Sequence, residues 1–342
     1  MTASTSTTAT KTNTRKKIDS KTLWIGGALI LAAIVLYKYI DEPITTTAVL
    51  SSTIRQSTPL ILGALCGLIG ERSGIINIGI EGQMLMAAFV SFLVNVYTGN
   101  LYLAITSGIL AGMGMGLFLA WMSIGLKMDQ IIGGTVINIM ALGLTSFFYQ
   151  VGLTTKGKLP SIPLGPLADI PLIGPVLFDN PPITYLTMIL VFMVQFALFR
   201  TVWGLRTRAV GEHPSAADTV GINVKLTRYL NVSLAGAFAG LAGAYLTLEA
   251  VGSFERGMTN GRGFVALAVM IFGKWTPLGA WGAALLFGFA SAYQTQLQFN
   301  GNLEIPHQFI GMLPYVLTIV VLAGFVGRSR PPAALGEIYD TE

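Results

Sequence analysis

Charged residues are scarce in this chain, and their scarcity excludes most soluble folds. Of the 342 residues, 11% are charged and 53% are hydrophobic, and the mean hydropathy is +0.66. A soluble domain carries about 25% charged residues, so this chain has too little charge to cover a water-facing surface of its size. The net charge of +5 does not indicate nucleic-acid binding, because the basic residues stand in short segments between apolar runs.

Cysteine and histidine are nearly absent, and the common catalytic motifs are missing. The one cysteine, Cys66, lies in an apolar run and cannot form an internal disulfide or a zinc site. The two histidines, His213 and His307, are predicted on opposite sides of a membrane. The sequence contains no GxxxxGK[ST] phosphate loop, no HExxH and no GxSxG. We therefore expect no enzymatic activity, no catalytic residue and no metal or cofactor on this chain.

Long apolar runs fill most of the chain and predict an all-α, polytopic membrane protein. Several approach or exceed the roughly 20 residues that cross the hydrocarbon core. A further apolar region at about 263–295 is interrupted between Gly273 and Pro277, and it either crosses twice or forms a re-entrant pair. Eight to ten transmembrane helices are therefore expected. The uninterrupted spans are predicted at about 23–40, 57–70, 78–98, 101–126, 131–151, 183–203, 229–250 and 308–326.

The distribution of Lys and Arg predicts the orientation. With the N-terminus inside, fourteen of the 21 basic residues fall on the inner side and six on the outer side, so both termini are predicted to be cytoplasmic. The predicted organisation is a disordered cytoplasmic tail at 1–21, a transmembrane domain at 22–327 and a cytoplasmic tail at 328–342. The extracytoplasmic loop at 152–182 is rich in proline and is either a docking surface or a connector.

The first candidate functional segment joins two predicted spans at residues 70–83. Asn77 and Glu81 are four residues apart and would share one face of a helix, while Gly79 and Gly82 permit a break or a close contact. An ionisable group entering a membrane segment suggests function. The alternative is that Glu81 accepts hydrogen bonds from a neighbouring helix and only shapes the fold.

The second candidate is the predicted cytoplasmic loop at 204–228. Pro214 suits the first position of a helix and Gly221 suits the residue after its end. The small residues between them predict a short helix of about two turns. Such a helix, projecting from a bundle, fits a groove on another protein better than it suits a solvated connector.

Polar side chains near the predicted outer surface form a third candidate. They line an entry vestibule, bind an external partner or are simply solvated: Glu249, Glu255, Arg256, Asn260 and Arg262. A later stretch suits a sugar or a base, but it also suits an interfacial aromatic belt: Tyr293, Gln294, Gln296 and Gln298.

Three segments resemble a known family. Residues 71–82 read ERSGIINIGIEG, residues 208–222 read RAVGEHPSAADTVGI, and residues 261–279 read GRGFVALAVMIFGKWTPLG. They resemble bacterial ABC importer permeases of the ribose/branched-chain amino acid permease superfamily, and within it the nucleoside, or "simple sugar", permeases. The resemblance covers about residues 45–326.

The resemblance implies a type II-like importer permease, whose pathway is formed by two permease subunits that are often a heterodimer. It implies a cytoplasmic ATPase partner with two cassettes that binds ATP and Mg, and an extracytoplasmic substrate-binding lipoprotein. It also makes residues 208–222 the coupling helix that docks in the ATPase. The implied coupling residues are Arg208, Gly211, Glu212, His213, Pro214, Ala216, Ala217, Asp218 and Gly221.

Two further sets of residues complete the expected site. The structural motif consists of Glu71, Arg72, Gly74, Gly79 and Gly82. The expected substrate pathway consists of Asn77, Glu81, Asn138, Glu249, Arg262, Phe264 and Gln294.

The expected function is ATP-driven import of nucleosides by alternating access. Simple sugars are the alternative cargo. A stand-alone secondary transporter is disfavoured, because the apolar spans offer little beyond Glu81 for an ion relay. A membrane enzyme is disfavoured because the sequence holds no catalytic set.

Overall fold

Long helices account for almost all the regular structure in the described part of the chain. The computed structural model describes residues 35–300 and 330–340, together with positions 33, 309, 311, 312 and 316. The predicted tail at 1–21 and most residues of the predicted spans at 23–40 and 308–326 lie outside the described residues. The chain divides into a unit at Met1–Thr46, helical over 35–41, and a compact unit at Thr47–Glu342.

In chain order the labelled helices are α1 (Pro43–Arg72), α2 (Ile80–Thr98), α3 (Leu101–Ala120), α4 (Gln130–Phe148), α5 (Ile173–Leu177), α6 (Pro182–Arg200), α7 (Val202–Glu212), α8 (Pro214–Thr219), α9 (Val224–Ala244), α10 (Arg262–Phe272) and α11 (Pro277–Asn300). Within the described residues, five helices are long and apolar enough to cross a membrane, judged by length and composition: α2, α3, α4, α6 and α9. Helices α3 and α9 continue as π-helices at Trp121–Gly125 and Tyr245–Val251. The predicted spans match the five crossing helices to within a few residues.

Polar residues before the apolar runs fix where these helices begin. The side chain of Asn100 accepts from the backbone nitrogens of Tyr102 and Leu103 and caps α3. The side chain of Asp129 accepts from Ile131 and Ile132 and caps α4. Each cap satisfies backbone donors that a helix start leaves without a partner.

Helix α1 begins at Pro43, well before the predicted start of its span at 57. The prediction was wrong because the residues before 57 are rich in Ser and Thr, which lower the hydropathy. In the structure these hydroxyls bond back to the preceding turn: Thr53 to the carbonyl of Val49 at 2.8 Å, and Ser57 to that of Ile54 at 2.8 Å. A hydroxyl bonded in this way is tolerated in a buried helix.

The interrupted apolar region contains one short and one long helix. The 11 residues of α10 extend about 16 Å, which is half of the roughly 30 Å hydrocarbon core. A turn at Gly273–Thr276 then leads into α11, which has 24 residues. Only α11 is therefore long enough to cross a membrane by itself, and α10 is a half-helix.

Small residues bring α3 and α9 into close contact. A Cβ atom on Gly112 would lie 2.5 Å from the backbone nitrogen of Gly240, and one on Gly116 would lie 2.6 Å from the carbonyl oxygen of Val232. Real side chains do not approach so closely, so the glycines set the distance between these helices. Glycines four residues apart, Gly112 and Gly116 on α3 and Gly236 and Gly240 on α9, therefore mark a packed helix pair.

The proline-rich loop at 152–182 is folded, not extended. Its strands β1 (Ile162–Pro163) and β2 (Asp179–Asn180) pair antiparallel, with Ile162 opposite Asn180. The loop contains a 3₁₀ turn at Gly165–Leu167 and the short α5. Its backbone also bonds to the end of α9, where Leu159 donates to the carbonyl of Leu248 at 2.8 Å. The loop thus forms a wall over the first half of α1 and the π-helical end of α9.

Candidate functional site

A cavity of about 540 Å³ lies where α1, the π-helical end of α9 and the loop at 152–182 meet. Its volume falls within the range of about 300–1,000 Å³ that small-molecule sites occupy. Its polar and shape-determining lining residues are Arg55, Gln56, Pro59, Lys158, Tyr245, Glu249 and Arg262. We call it the first cavity.

A proline in α1 shapes the wall of the first cavity. Pro59 has no N–H, so the carbonyl of Arg55, one turn earlier, lacks its helical partner. The hydroxyl of Tyr245 donates to this carbonyl at 2.5 Å. Tyr245 stands at the start of a π-helix, a local irregularity that is frequent at functional sites. Two helix irregularities therefore meet at one point of the cavity wall.

A second cavity of about 370 Å³ adjoins the first, because Gln56 and Arg262 line both. Gln294 also lines it, so two residues of the predicted pathway are brought together there. A guanidinium stacks on aromatic rings and donates in a fixed plane, and a carboxamide both donates and accepts. These groups suit a neutral solute with a flat ring and several hydroxyls. The remaining second-cavity residues are Leu60, Asn260, Val265, Phe287, Ser291, Thr295 and Gly311.

Glu249 lines the first cavity, but its carboxylate is engaged by the start of α6. It accepts from the backbone nitrogens of Ile183 at 2.7 Å and Thr184 at 3.1 Å, and from the Thr184 hydroxyl at 2.5 Å. The side chain is only 3% exposed. A carboxylate at a helix N-terminus is stabilised by the unpaired N–H groups and by the helix dipole. These bonds give Glu249 a positioning task at the cavity wall.

Glu81 likewise accepts hydrogen bonds from the backbone at the start of a helix, here α10. Its two carboxylate oxygens accept from the backbone nitrogens of Gly261 at 2.8 Å and Gly263 at 2.6 Å. Gly263 needs to be glycine, because a Cβ there would lie 2.6 Å from the Cα of Glu81. These contacts match the alternative in which Glu81 accepts hydrogen bonds from a neighbouring helix.

Asn138 of α4 holds the break that precedes α2. Its Oδ1 accepts from Gly82 at 2.7 Å, and its Nδ2 donates to the carbonyl of Ile78 at 3.1 Å. Gly79 and Gly82 permit this approach, since a Cβ on Gly82 would lie 2.8 Å from the Cα of Asn138. The predicted freedom for close contact at these glycines is confirmed.

The other predicted pathway residues lie elsewhere. Asn77 is fully buried, where its Nδ2 donates to Gln83 at 3.2 Å and to the sulfur of Cys66 at 3.4 Å. Phe264 is 48% exposed and lines neither cavity. The structure therefore places Glu249, Arg262 and Gln294 at the cavities. A role in solute passage stays a prediction for all seven.

The motif at the end of α1 joins the turn between α10 and α11. The indole N–H of Trp275 donates to Glu71, and Arg72 donates twice to the carbonyl of Trp275, at 3.0 and 2.8 Å. Gly74 follows with φ of +90°, which favours glycine. The guanidinium groups of Arg72 and Arg208 both lie over the Phe199 ring, at 5.7 and 5.2 Å from its centroid.

The predicted short helix is present as α8. Pro214 is its first residue, and Gly221 follows its end with φ of +82°. Two backbone bonds close the end: Gly221 donates to Asp218 at 2.9 Å, and Ile222 donates to Ala217 at 3.1 Å. Both ends of the short helix therefore lie where Pro214 and Gly221 predicted them.

One face of α8 is exposed and the other packs on the chain itself. Ala217 is 4% exposed and packs in a cluster with Val210 and Val224, and Pro214 is also buried. The face available to a partner therefore excludes Ala217, although the sequence placed it there. The exposed residues are Ser215, Ala216, Asp218 and Thr219.

The residues before α8 hold it to the bundle. A Cβ on Gly211 would collide with the carbonyl of Arg72, so α7 ends directly against the end of α1. The carboxylate of Glu212 accepts from the backbone nitrogen of Ala333 at 3.1 Å. His213 is exposed and joins α7 to α8. No group of three or more His, Cys, Asp or Glu residues within the described part of the chain could hold a metal ion.

Sequence reasoning missed Arg55, Gln56, Lys158 and Tyr245. They come from α1, the loop at 152–182 and α9, so their proximity depends on how distant segments pack. One signal was available: Pro59 within an apolar run predicts a broken backbone ladder that another side chain must satisfy.

Comparison with known proteins gives one family. Residues 49–322 match the family model described as branched-chain amino acid transport system / permease component. The guanosine ABC transporter permease protein NupQ of Bacillus subtilis (strain 168) is 40% identical over 309 residues, covering 85% of this chain and 96% of that protein. The nucleoside ABC transporter permease protein NupC of Lactococcus lactis subsp. cremoris (strain MG1363) is 39% identical, covering 86% and 97%. The putative glucose ABC transporter permease protein TsgC13 of Haloferax volcanii is 35% identical, covering 86% and 97%.

Proposed function

The chain belongs to the family of branched-chain amino acid transport system permease components, and we propose that it carries nucleosides into the cell as one subunit of an ATP-driven importer. It is a multi-pass membrane protein and an ABC transporter permease for nucleosides or sugars. Nucleosides are preferred because the two relatives at 39% identity or above bear guanosine or nucleoside in their names. The similarity to TsgC13 supports glucose or a related sugar as the second candidate.

The observation that carries this proposal is the shape of α8. It is a capped helix of six residues whose exposed face bears only small or short side chains. A rigid projection of this kind fits into a groove on a partner protein. We propose that the groove belongs to a cytoplasmic ATPase with two cassettes, which binds ATP and Mg, and that α8 is the coupling helix.

The contacts around α8 suggest how motion reaches the membrane helices. Gly211 abuts the end of α1, and Arg208 shares the Phe199 ring with Arg72, which in turn holds Trp275. A displacement of α8 would therefore act on α1 and on the turn between α10 and α11. The proposed mechanism is alternating access, in which ATP binding by the partner shifts the bundle between two states.

The two cavities support a solute route along α1. Gln56, Arg262 and Gln294 offer hydrogen bonds and one flat cation, which suit the ring and hydroxyls of a nucleoside. We propose that these contacts are weak and that an extracytoplasmic lipoprotein supplies the affinity. We also propose that a second, related permease completes the pathway, that both termini are cytoplasmic, and that the loop at 152–182 faces the outside.

Uptake by the reconstituted complex tests the function. Proteoliposomes that hold both permeases and the ATPase, with the binding lipoprotein outside, are offered labelled guanosine or labelled glucose. The proposal expects guanosine uptake only when ATP is trapped inside. Uptake at the same rate without ATP would contradict an ATP-driven importer, and uptake of glucose alone would replace the nucleoside by a sugar.

A further inference from the structure

The last described segment of the chain, residues 330–340, lies against the end of the bundle that carries α8. We call this segment the C-terminal strap. It forms a turn in which Leu335 donates to the carbonyl of Pro332 at 3.2 Å. The strap forms neither a helix nor a strand, yet its backbone is bonded to other elements at four points. These four bonds fix the position of the strap on the bundle.

Three of these bonds reach the end of α7 and the turn after α1. The backbone nitrogen of Ala334 donates to the carbonyl of Gly211 at 3.0 Å, and that of Gly336 donates to the carbonyl of Gly74 at 3.0 Å. The third joins the backbone nitrogen of Ala333 to the carboxylate of Glu212, the last residue of α7. The strap thus spans the gap between the coupling region and the segment that leads into α2.

The fourth bond involves a buried arginine of α9. Arg228 is 2% exposed, and its Nε donates to the carbonyl of Ser73 at 3.1 Å. Its Nη1 donates to the carbonyl of Glu337 at 2.9 Å. A buried guanidinium is costly unless its donors are bonded. The strap therefore supplies a partner that Arg228 needs, and Arg228 links the strap to the same turn after α1.

The strap also contacts α8 directly. The hydroxyl of Tyr339 donates to Asp218 at 2.8 Å, and its side chain packs on the cluster of Val210, Ala217 and Val224. A tyrosine phenol keeps its proton at neutral pH, and the hydrogen bond to Asp218 raises the pKa of Tyr339 further. A salt bridge from Lys127 to Asp340 at 2.5 Å is exposed and adds little stability.

We propose that the C-terminal strap is a positioning element of the coupling apparatus, which fastens α8 to the turn after α1 so that displacement of α8 is transmitted to the bundle. This inference rests on the proposed function of α8. Because α8 has only six residues, its own backbone bonds hold it weakly. Tyr339 contacts α8, and Gly336 and Glu337 contact the turn and Arg228, so the strap bridges the two within four residues.

Hydrogen exchange on the purified full-length permease in detergent tests the fastening without any partner. The amides of Ala217, Gly221 and Ile222 report on α8, since each closes one of its turns. We expect Tyr339→Phe to speed their exchange about threefold, because the hydrogen bond to Asp218 is lost, and Tyr339→Ala to speed it about tenfold, because the packing of the ring on Val210, Ala217 and Val224 is lost as well. Ile338→Ala is the matched control: this side chain belongs to the strap but is exposed, and exchange should not change.

Transport per ATP hydrolysed tests the transmission. In the complete complex, Tyr339→Phe should keep the ATPase bound and keep the melting temperature, while solute moved per ATP falls at least twofold. A strap that merely stabilised the fold would lower the melting temperature and leave this ratio unchanged.

The exchange and transport experiments separate failure of the strap proposal from failure of the proposed function. Unchanged exchange in both Tyr339 variants overturns the strap proposal, whatever the ATPase does. Faster exchange with an unchanged transport ratio also overturns it. If the wild-type permease binds no ATPase, the proposed function fails, and the strap's claimed part in coupling falls with it, while the exchange data still show whether the strap fastens α8.

Discussion

The indole nitrogen of Trp275 lies 2.6 Å from a carboxylate oxygen of Glu71, although 204 positions separate them in the chain. Both side chains are buried, and Arg72 binds the carbonyl of the same tryptophan. This contact ties the end of α1 to the turn between α10 and α11. The half-helix α10 is therefore anchored at one end by Glu81 and at the other by Glu71.

Removing the indole donor should destabilise the protein. Trp275→Phe leaves the Glu71 carboxylate buried without its partner, which costs about 1–3 kcal/mol. Thermal unfolding in detergent measures the effect. Trp121→Phe is the control, because Trp121 is half exposed. The double variant Trp275→Phe/Glu71→Gln should lose less than the sum of the single losses, and simple additivity would show that the two residues do not interact.

Two glycines on one helix should respond in opposite ways to the same substitution. Gly112→Ala places a methyl group against Gly236 and Gly240 and should lower the melting temperature by several degrees, since overpacking costs about 1–3 kcal/mol. Gly114→Ala meets nothing within 4 Å and should be neutral or stabilising, because alanine favours the helix by about 1 kcal/mol over glycine. Equal effects at both positions would contradict the close contact of α3 and α9.

Neighbouring alanines of α8 should separate docking from folding. Ala216 is exposed, whereas Ala217 is buried in the chain's own cluster. Ala216→Arg should abolish co-purification of the ATPase and leave the permease's melting temperature unchanged. Ala217→Arg buries a charge and should lower that melting temperature. Normal ATPase binding by Ala216→Arg would remove the exposed face of α8 from the docking surface.

The residues shared by the two cavities should govern solute transport. Arg262→Ala and Gln56→Ala each remove a hydrogen-bonding side chain from both cavities, so solute uptake should fall at least fivefold while the ATPase stays bound. Arg256→Ala is the control, because Arg256 is exposed and lines neither cavity. Uptake that falls as much in Arg256→Ala as in Arg262→Ala, while Gln56→Ala leaves it unchanged, would indicate a general loss of positive charge instead of a specific route.

Local signals in the sequence predicted local structure well. Pro214 and Gly221 fix both ends of α8, and the apolar runs locate the five crossing helices. The start of α1 was mistaken because hydropathy averages do not register that Thr53 and Ser57 satisfy their own hydroxyls within the helix.

Contacts between distant segments could not be predicted from a single sequence. Nothing in the order of residues places Tyr245 beside Arg55, or Tyr339 beside Asp218. For the same reason the sequence left the partners of two carboxylates open: Glu81 was either functional or a hydrogen-bond acceptor for a neighbouring helix, and Glu249 was placed near the outer surface. In the structure both carboxylates are occupied by the backbone, at the starts of α10 and α6.

Site-specific crosslinking between α8 and the ATPase tests the central claim most directly. Cys66 is fully buried and does not compete for a thiol reagent, so Ser215→Cys gives one reactive position on the exposed face of α8. The account predicts that a short crosslinker joins this cysteine to the ATPase in the assembled complex, whereas Ser161→Cys at the first cavity gives no such product. Absence of a product from Ser215→Cys in an ATPase-bound complex would contradict the account.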